Sequence, residues 1–187
     1  MPGSGIPYTD NIAMKIKTRL ICTFLLIILG STSMNIYAQE MKKHAISLVL
    51  GHAHISKGTD ENGGKKWLVS PAWGLDYNFH INEKWALGLH NDIILEDFSI
   101  YGKEEIERNY PFSSCIVGSF KPKEFLTTLI GFGGEFAGEG NYFLCRAGIE
   151  FGFGFGKNWE CNPSLTYDIK INAYDTWLIG LGVTKLF

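Results

Sequence analysis

Residues 67–82 alternate between apolar and polar positions more cleanly than any other stretch of the chain. Trp67, Val69, Pro71, Trp73, Leu75, Tyr77, Phe79 and Ile81 form one set. Leu68, Ser70, Ala72, Gly74, Asp76, Asn78, His80 and Asn82 form the other. A period of two puts each set on its own side of a pleated strand. The run is long beside the five or six residues, roughly, of a soluble strand. It suits a tilted strand crossing a bilayer, which takes about 9–11 residues. The last eleven residues repeat the pattern, with Trp177, Ile179, Leu181, Val183, Lys185 and Phe187 against the mostly small Gly180, Gly182 and Thr184.

Extended along the chain, the alternation predicts strands near 44–55, 67–81, 85–98, 112–120, 125–137, 142–155, 159–172 and 176–187. Asn82–Lys84 and Gly156–Asn158 are short polar turns, whereas Ser56–Lys66 and Ser99–Pro111 are longer and strongly polar. Lys103–Arg108 reads as a helical turn or as loop. Pro71 and Pro163 predict local bulges, because proline removes a ladder donor. An open sheet edge cannot survive in hydrocarbon, where each unpaired backbone group costs several kcal/mol. The expected fold is therefore all-β: an antiparallel, up-and-down, eight-stranded transmembrane β-barrel. Alternation alone does not say which face is inside, so a soluble barrel of lipocalin type stays open.

Ahead of the strands, Lys15, Lys17 and Arg19 precede the apolar run Leu20–Gly30 and the small, polar Ser31, Thr32 and Ser33. This predicts a secretory signal peptide over 14–38, cleaved near Tyr37-Ala38-Gln39. Residues 1–13 read as an extension upstream of a start at Met14, and 39–187 as the barrel. The segment 39–187 carries 14 basic and 18 acidic side chains, a formal −4 before histidines. That balance argues against a nucleic-acid partner. Cys115, Cys145 and Cys161 are too few and too scattered for a disulfide framework, and read as small hydrophobes.

If bulky residues face lipid, the opposite face carries Asp76, Asn78, His80, His90, Asp92, Glu96, Glu135, Arg146, Glu150, Asp168 and Lys170. An eight-stranded barrel has room inside for side chains and little else. Arg146 and Lys170 are expected to counter several of these carboxylates in a plugged polar network. His52-Ala-His54 has a spacing used by metal sites but no evident third ligand, so no metal or cofactor is assigned. Gly131-Phe-Gly133-Gly134 and Gly152-Phe-Gly-Phe-Gly156 do not lead into a helix and fail as phosphate loops.

With its signal region Lys15–Ala38, alternating strands and ending Gly180-Leu-Gly-Val-Thr-Lys-Leu-Phe187, the chain resembles the small outer-membrane β-barrel proteins, the OmpA-barrel and OmpX-like group. The Gln39 start and the Gly-Val-Thr-Lys ending further resemble barrels of the Bacteroidota. The resemblance implies residence in the outer membrane of a Gram-negative cell, contact with its lipid, and recognition of Val183 and Phe187 by the barrel-assembly machinery. It also implies a non-enzymatic protein with a structural, adhesive or ligand-contact role through external loops. A narrow porin is the alternative. A third reading, a lipid A-modifying enzyme, follows from His54-Ile-Ser56, which is similar to the His-x-Ser pairing of eight-stranded lipid A deacylases.

Overall fold

The computed structural model describes residues 42–59, 65–101, 105–138 and 140–187. The signal-peptide and upstream-extension readings lie outside these residues. Eleven strands form: β1 (His44–Thr59), β2 (Lys65–His80), β3 (Trp85–Ile94), β4 (Phe98–Tyr101), β5 (Glu105–Arg108), β6 (Phe112–Lys123), β7 (Leu126–Ala137), β8 (Gly140–Phe151), β9 (Phe153–Gly154), β10 (Trp159–Lys170) and β11 (Asp175–Leu186). β1, β2, β3, β6, β7, β8, β10 and β11 make the wall, each antiparallel to its neighbour. β11 pairs back onto β1 from Ala45↔Leu186 to Ile55↔Thr176, which closes an eight-stranded barrel. Among the described residues no helix is long and apolar enough to cross a membrane; the crossing elements are strands.

The polarity of the wall is the reverse of a soluble barrel. Leu75 is 57% exposed and Ile130 72%, while Glu135 and Arg108 are at 0%. The exposed face is a belt of Ile, Leu, Val and aromatic side chains. Such a face lowers free energy only against acyl chains, since in water it would leave a far larger apolar patch than a soluble monomer tolerates. Aromatic groups gather at both margins, with Trp85 against Phe120 at one and Tyr167 against Trp177 at the other. Tyr and Trp favour those interfaces. Lys185 lies over the Trp159 ring, 4.7 Å from its centroid, so its ammonium escapes the belt at its edge.

Both chain ends of the barrel lie on one side, where His44 and Phe187 exchange backbone hydrogen bonds. Three short turns also fall there, including one shaped by Gly156 (φ 81°) and Asn158 (φ 72°), while the short β10–β11 turn, with Asn172 at φ 63°, falls at the other end beside the longer connections. Short turns face the periplasm in outer-membrane barrels, so this turn end is the periplasmic one. The opposite, loop end holds the β1–β2 and β3–β6 connections.

The structure corrects the strand boundaries where proline acts. Neither Pro71 nor Pro163 makes a bulge: His52↔Pro71 and Pro163↔Leu181 stay in register. Each proline instead ends or interrupts the ladder on its other side. Leu95 still donates to the Pro71 carbonyl at 2.9 Å, but Pro71 has no N–H to return. β3 accordingly ends at Ile94, four residues short of the predicted 98, and the chain turns inward at 95–97. Opposite Pro163 the predicted strand 142–155 breaks at Gly152, leaving β9 separate from β8 with the register against β10 unchanged. Residues 105–108, read as helical turn or loop, form a strand paired with β4.

Candidate functional site

The barrel lumen is where polar chemistry collects, and it is divided along its length. At the loop end, the β4–β5 hairpin tucks in, burying Phe98 and Ile100 against Ala53, Ile55, Ala72, Ile94, Tyr174 and Leu178. Phe98 meets the Tyr174 ring edge-on at 5.7 Å. Arg108, at the end of the hairpin, sits beneath this apolar plug. Its Nε and Nη2 donate to Glu135 Oε1 at 3.1 and 2.8 Å, and its Nη1 donates to the Gly140 carbonyl at 2.8 Å. The Tyr174 hydroxyl donates to the same Glu135 oxygen at 2.7 Å. Burial, and then the Glu135 charge, push the Tyr174 phenol above its ordinary pKa, so it stays a donor. Lys170 Nζ stands 3.4 Å from Glu135 Oε2 and donates to Thr176 at 2.5 Å.

Mid-lumen, Arg146 on β8 joins two walls. Its Nε and Nη2 hold both oxygens of Asp168, its cross-strand partner on β10, at 2.8 and 2.7 Å. Its Nη1 reaches across to Asp92 on β3 at 2.5 Å. The bidentate fork fixes the guanidinium plane. Glycine makes room for this layer: a Cβ on Gly74 would lie 2.8 Å from Asp92 Oδ1.

Below Arg146 the lumen opens. A cavity of about 720 Å³ runs to the turn end, lined by residues including Ser47, Asn78, His80, Glu150, Glu160 and Asn162. Ser47, Thr184 and Asn162 form a hydrogen-bonded chain on one wall, at 2.7 and 2.6 Å. At the inner end of the cavity Asp76 on β2, His90 on β3 and Glu150 on β8 each present a ligand-type atom, all within 4.8 Å of one another.

The sequence-derived interior residues therefore fall into distinct places. Asp92, Arg146 and Asp168 form one ion-paired group, and Glu135 with Lys170 another. Asp76, His90 and Glu150 form a third. His80 lies at the mouth, its Nδ1 3.1 Å from the Lys42 carbonyl. Glu96 is a correction: because the wall ends at Ile94, it stands exposed in the bend after β3, outside the lumen. Sequence reasoning missed Arg108 and Tyr174, both in segments read as connections. The only signal was the short alternation Phe98-Ser-Ile100 and Ile106-Glu-Arg108. Val183 and Phe187 lie on the outer face of the last strand and at its end, both exposed.

His52 and His54 project from the outer wall beside Pro71, Val69 and Trp177. Among the described residues no third ligand joins them. Ser56 shares their face, separated from His54 by the inward, fully buried Ile55. The three described cysteines are free thiols, with Cys115 packed in an apolar cluster with Val117, Leu129 and Leu144.

Comparison with protein-family models and with curated proteins gives no match. Among solved structures the chain is similar to Ail, the attachment invasion locus protein of Yersinia pestis, determined in complex with the heparin analogue sucrose octasulfate. The two share 16% identity over 77% of this chain and 99% of that one, with a TM-score of 0.49. Neisserial surface protein A gives 10% identity over 77% and 97%, with a TM-score of 0.49. The outer-membrane protein OprG of Pseudomonas aeruginosa gives 12% over 77% and 97%, with a TM-score of 0.45. A closed antiparallel barrel, apolar outside and charged within, defines the class: this chain is a small outer-membrane β-barrel protein, resident in that membrane.

Proposed function

We propose that this barrel is a non-enzymatic outer-membrane protein that does not conduct solute and acts through its external loops, in adhesion, ligand contact or envelope support. One observation carries the reading. The loop end of the lumen is filled by the β4–β5 hairpin, its apolar contacts and the Arg108–Glu135–Lys170 group, so among the described residues the turn-end cavity has no exit opposite. A narrow porin needs a continuous wet path, and a dry apolar layer opposes one. The lipid A-modifying alternative needs an acid to orient His54. Among the described residues no ion pair joins a carboxylate to His54. The partners in this reading are outer-membrane lipid around the belt and the barrel-assembly machinery at Val183 and Phe187. Nucleic acid has no basic stripe to bind.

Planar-bilayer recording on purified, refolded protein tests the reading. Wild-type barrel is expected to give no discrete conductance steps. Regular steps at wild-type sequence would restore the porin. For the enzymatic alternative, lipid A acyl chains should be the same in cells carrying wild-type protein and Ser56→Ala. A difference between them would overturn the non-enzymatic assignment.

A further inference from the structure

We infer that Asp76, His90 and Glu150 form a binding site for one divalent first-row transition ion, of the Zn(II) type, loaded through the turn-end cavity. The inference goes beyond the non-conducting reading and does not rest on it.

The first observation is the orientation of His90, whose side chain is 3% exposed. Its Nε2 lies 3.1 Å from Asn78 Oδ1. An amide oxygen only accepts, so Nε2 carries the proton. In the neutral ring Nδ1 is then a lone pair, and it faces Asp76 Oδ2 at 3.7 Å. That separation is too long for a hydrogen bond. It is close to the edge of about 3.4 Å between ligands of a tetrahedral ion with bonds of about 2.1 Å. Two acceptors thus point at one another across a gap of metal size, with Glu150 arriving from the far wall.

Charge is the second, independent observation. The buried ion pairs of the lumen set Asp92, Glu135 and Asp168 against the cations Arg108, Arg146 and Lys170, and among the described residues none puts a Lys or Arg on Asp76 or Glu150. Arg146 is already held by Asp92 and Asp168, and Arg108 and Lys170 by Glu135. The uncompensated pair is Asp76 and Glu150. Buried charges are paired or coordinate metals, and one divalent ion would balance the buried Asp76 and the half-buried Glu150 together.

The surroundings match a ligand shell. Metal-bound histidine ordinarily gives its other N–H to an oxygen acceptor, which sets tautomer and ring orientation, and ligating carboxylates are themselves hydrogen-bonded. Asn78 does the first for His90, and the Asn91 N–H does the second for Asp76 Oδ1 at 3.2 Å. Gly88 keeps Asn78 in place, because a Cβ there would collide with the Asn78 Oδ1. An imidazole among the donors selects transition ions over Ca(II) or Mg(II), which prefer all-oxygen shells. Glu150 also lines the cavity, so water from the turn end can complete the shell. Asp76 and His90 are paired across β2 and β3, whereas Glu150 stands on β8, so the ion would tie two walls of the lumen together.

The test uses tag-free barrel in zwitterionic micelles, stripped with chelator and titrated with Zn(II), with Co(II) as a spectroscopic stand-in. The expected result is one Zn(II) per barrel and a Co(II) ligand-field spectrum. Glu150→Gln and His90→Gln should each abolish both, and Asn78→Ala should weaken binding by about tenfold or more. The triple change of His44, His52 and His54 to Asn should leave binding intact. The heat-dependent gel shift reports folding of every variant, and Glu150→Gln, at the cavity edge, serves if His90→Gln does not fold. Absence of stoichiometric Zn(II) binding by wild type, or binding unchanged in Glu150→Gln, overturns the inference; the facing acceptors then share a proton only.

Discussion

The two ends of the lumen solve the problem of enclosed polarity in opposite ways. At the loop end Arg108, Tyr174 and Lys170 all converge on Glu135, and an apolar layer seals them from the outside. Side chains there supply their own counter-charges. At the turn end Asp76 and Glu150 have no Lys or Arg partner among the described residues, the acceptors of Asp76 and His90 face one another without bonding, and the volume is open to solvent. One end is a finished core and the other a receptive one. The difference follows from which strands end early. β3 leaves the wall at Ile94, so its continuation folds into the loop end and fills it. The tight turns at the other end leave no chain to fold inward.

Experiments can break that contrast or sharpen it. The largest expected effect is Glu135→Ala, which leaves Arg108 and Lys170 buried without their carboxylate. Losing one partner of a buried pair costs about 3–5 kcal/mol. Urea unfolding in micelles measures it, and a loss below about 1 kcal/mol would mean that the loop end is not the tightly coupled end. Next, Leu75→Arg changes the lipid-facing wall beside Asp76, and a midplane position costs about 2–4 kcal/mol. Reduced yield of folded barrel in bilayers reads this out and gives a scale common to both ends. Gly88→Ala forces Asn78 aside and is expected to cost about 1–3 kcal/mol, as overpacking does. A second readout is weaker Zn(II) binding in the same variant. The smallest effect belongs to Glu150→Gln in chelator, within about 0.5 kcal/mol of wild type. A large loss there would show that Glu150 holds the fold rather than waits for a ligand.

Much of the wall was legible in the sequence because a period-two signal is written into every strand. Residues 67–82 show both faces without a break, and Asp76, His90, Asp92, Arg146, Asp168 and Lys170 fall on the polar face because strict alternation leaves them nowhere else. Alternation alone left direction open, since it describes a barrel turned either way; the ending on Phe187 favoured lipid outside, and the closed wall with Leu75 outside and Arg146 inside bears that out. The loop-end plug was hidden for a different reason. β4 and β5 are four residues each, too short for periodicity to rise above a polar background. Pro71 and Pro163 were recognised as ladder breakers, but a missing donor can bend a strand or stop its pairing, and which one happens depends on the neighbour. The Asp76–His90–Glu150 grouping was out of reach, because β8 comes to the lumen opposite β2 and β3 only once the sheet has curled.

The seam between β1 and β11 joins Ala45 to Leu186. Those residues are almost a full barrel apart along the chain, so their contact carries the greatest loop-closure entropy of any in the wall. Until the seam forms, β1 and β11 are edges, and hydrocarbon does not tolerate edges. Sealing and insertion therefore have to proceed together, and a slow, concerted final step is expected to dominate the folding kinetics.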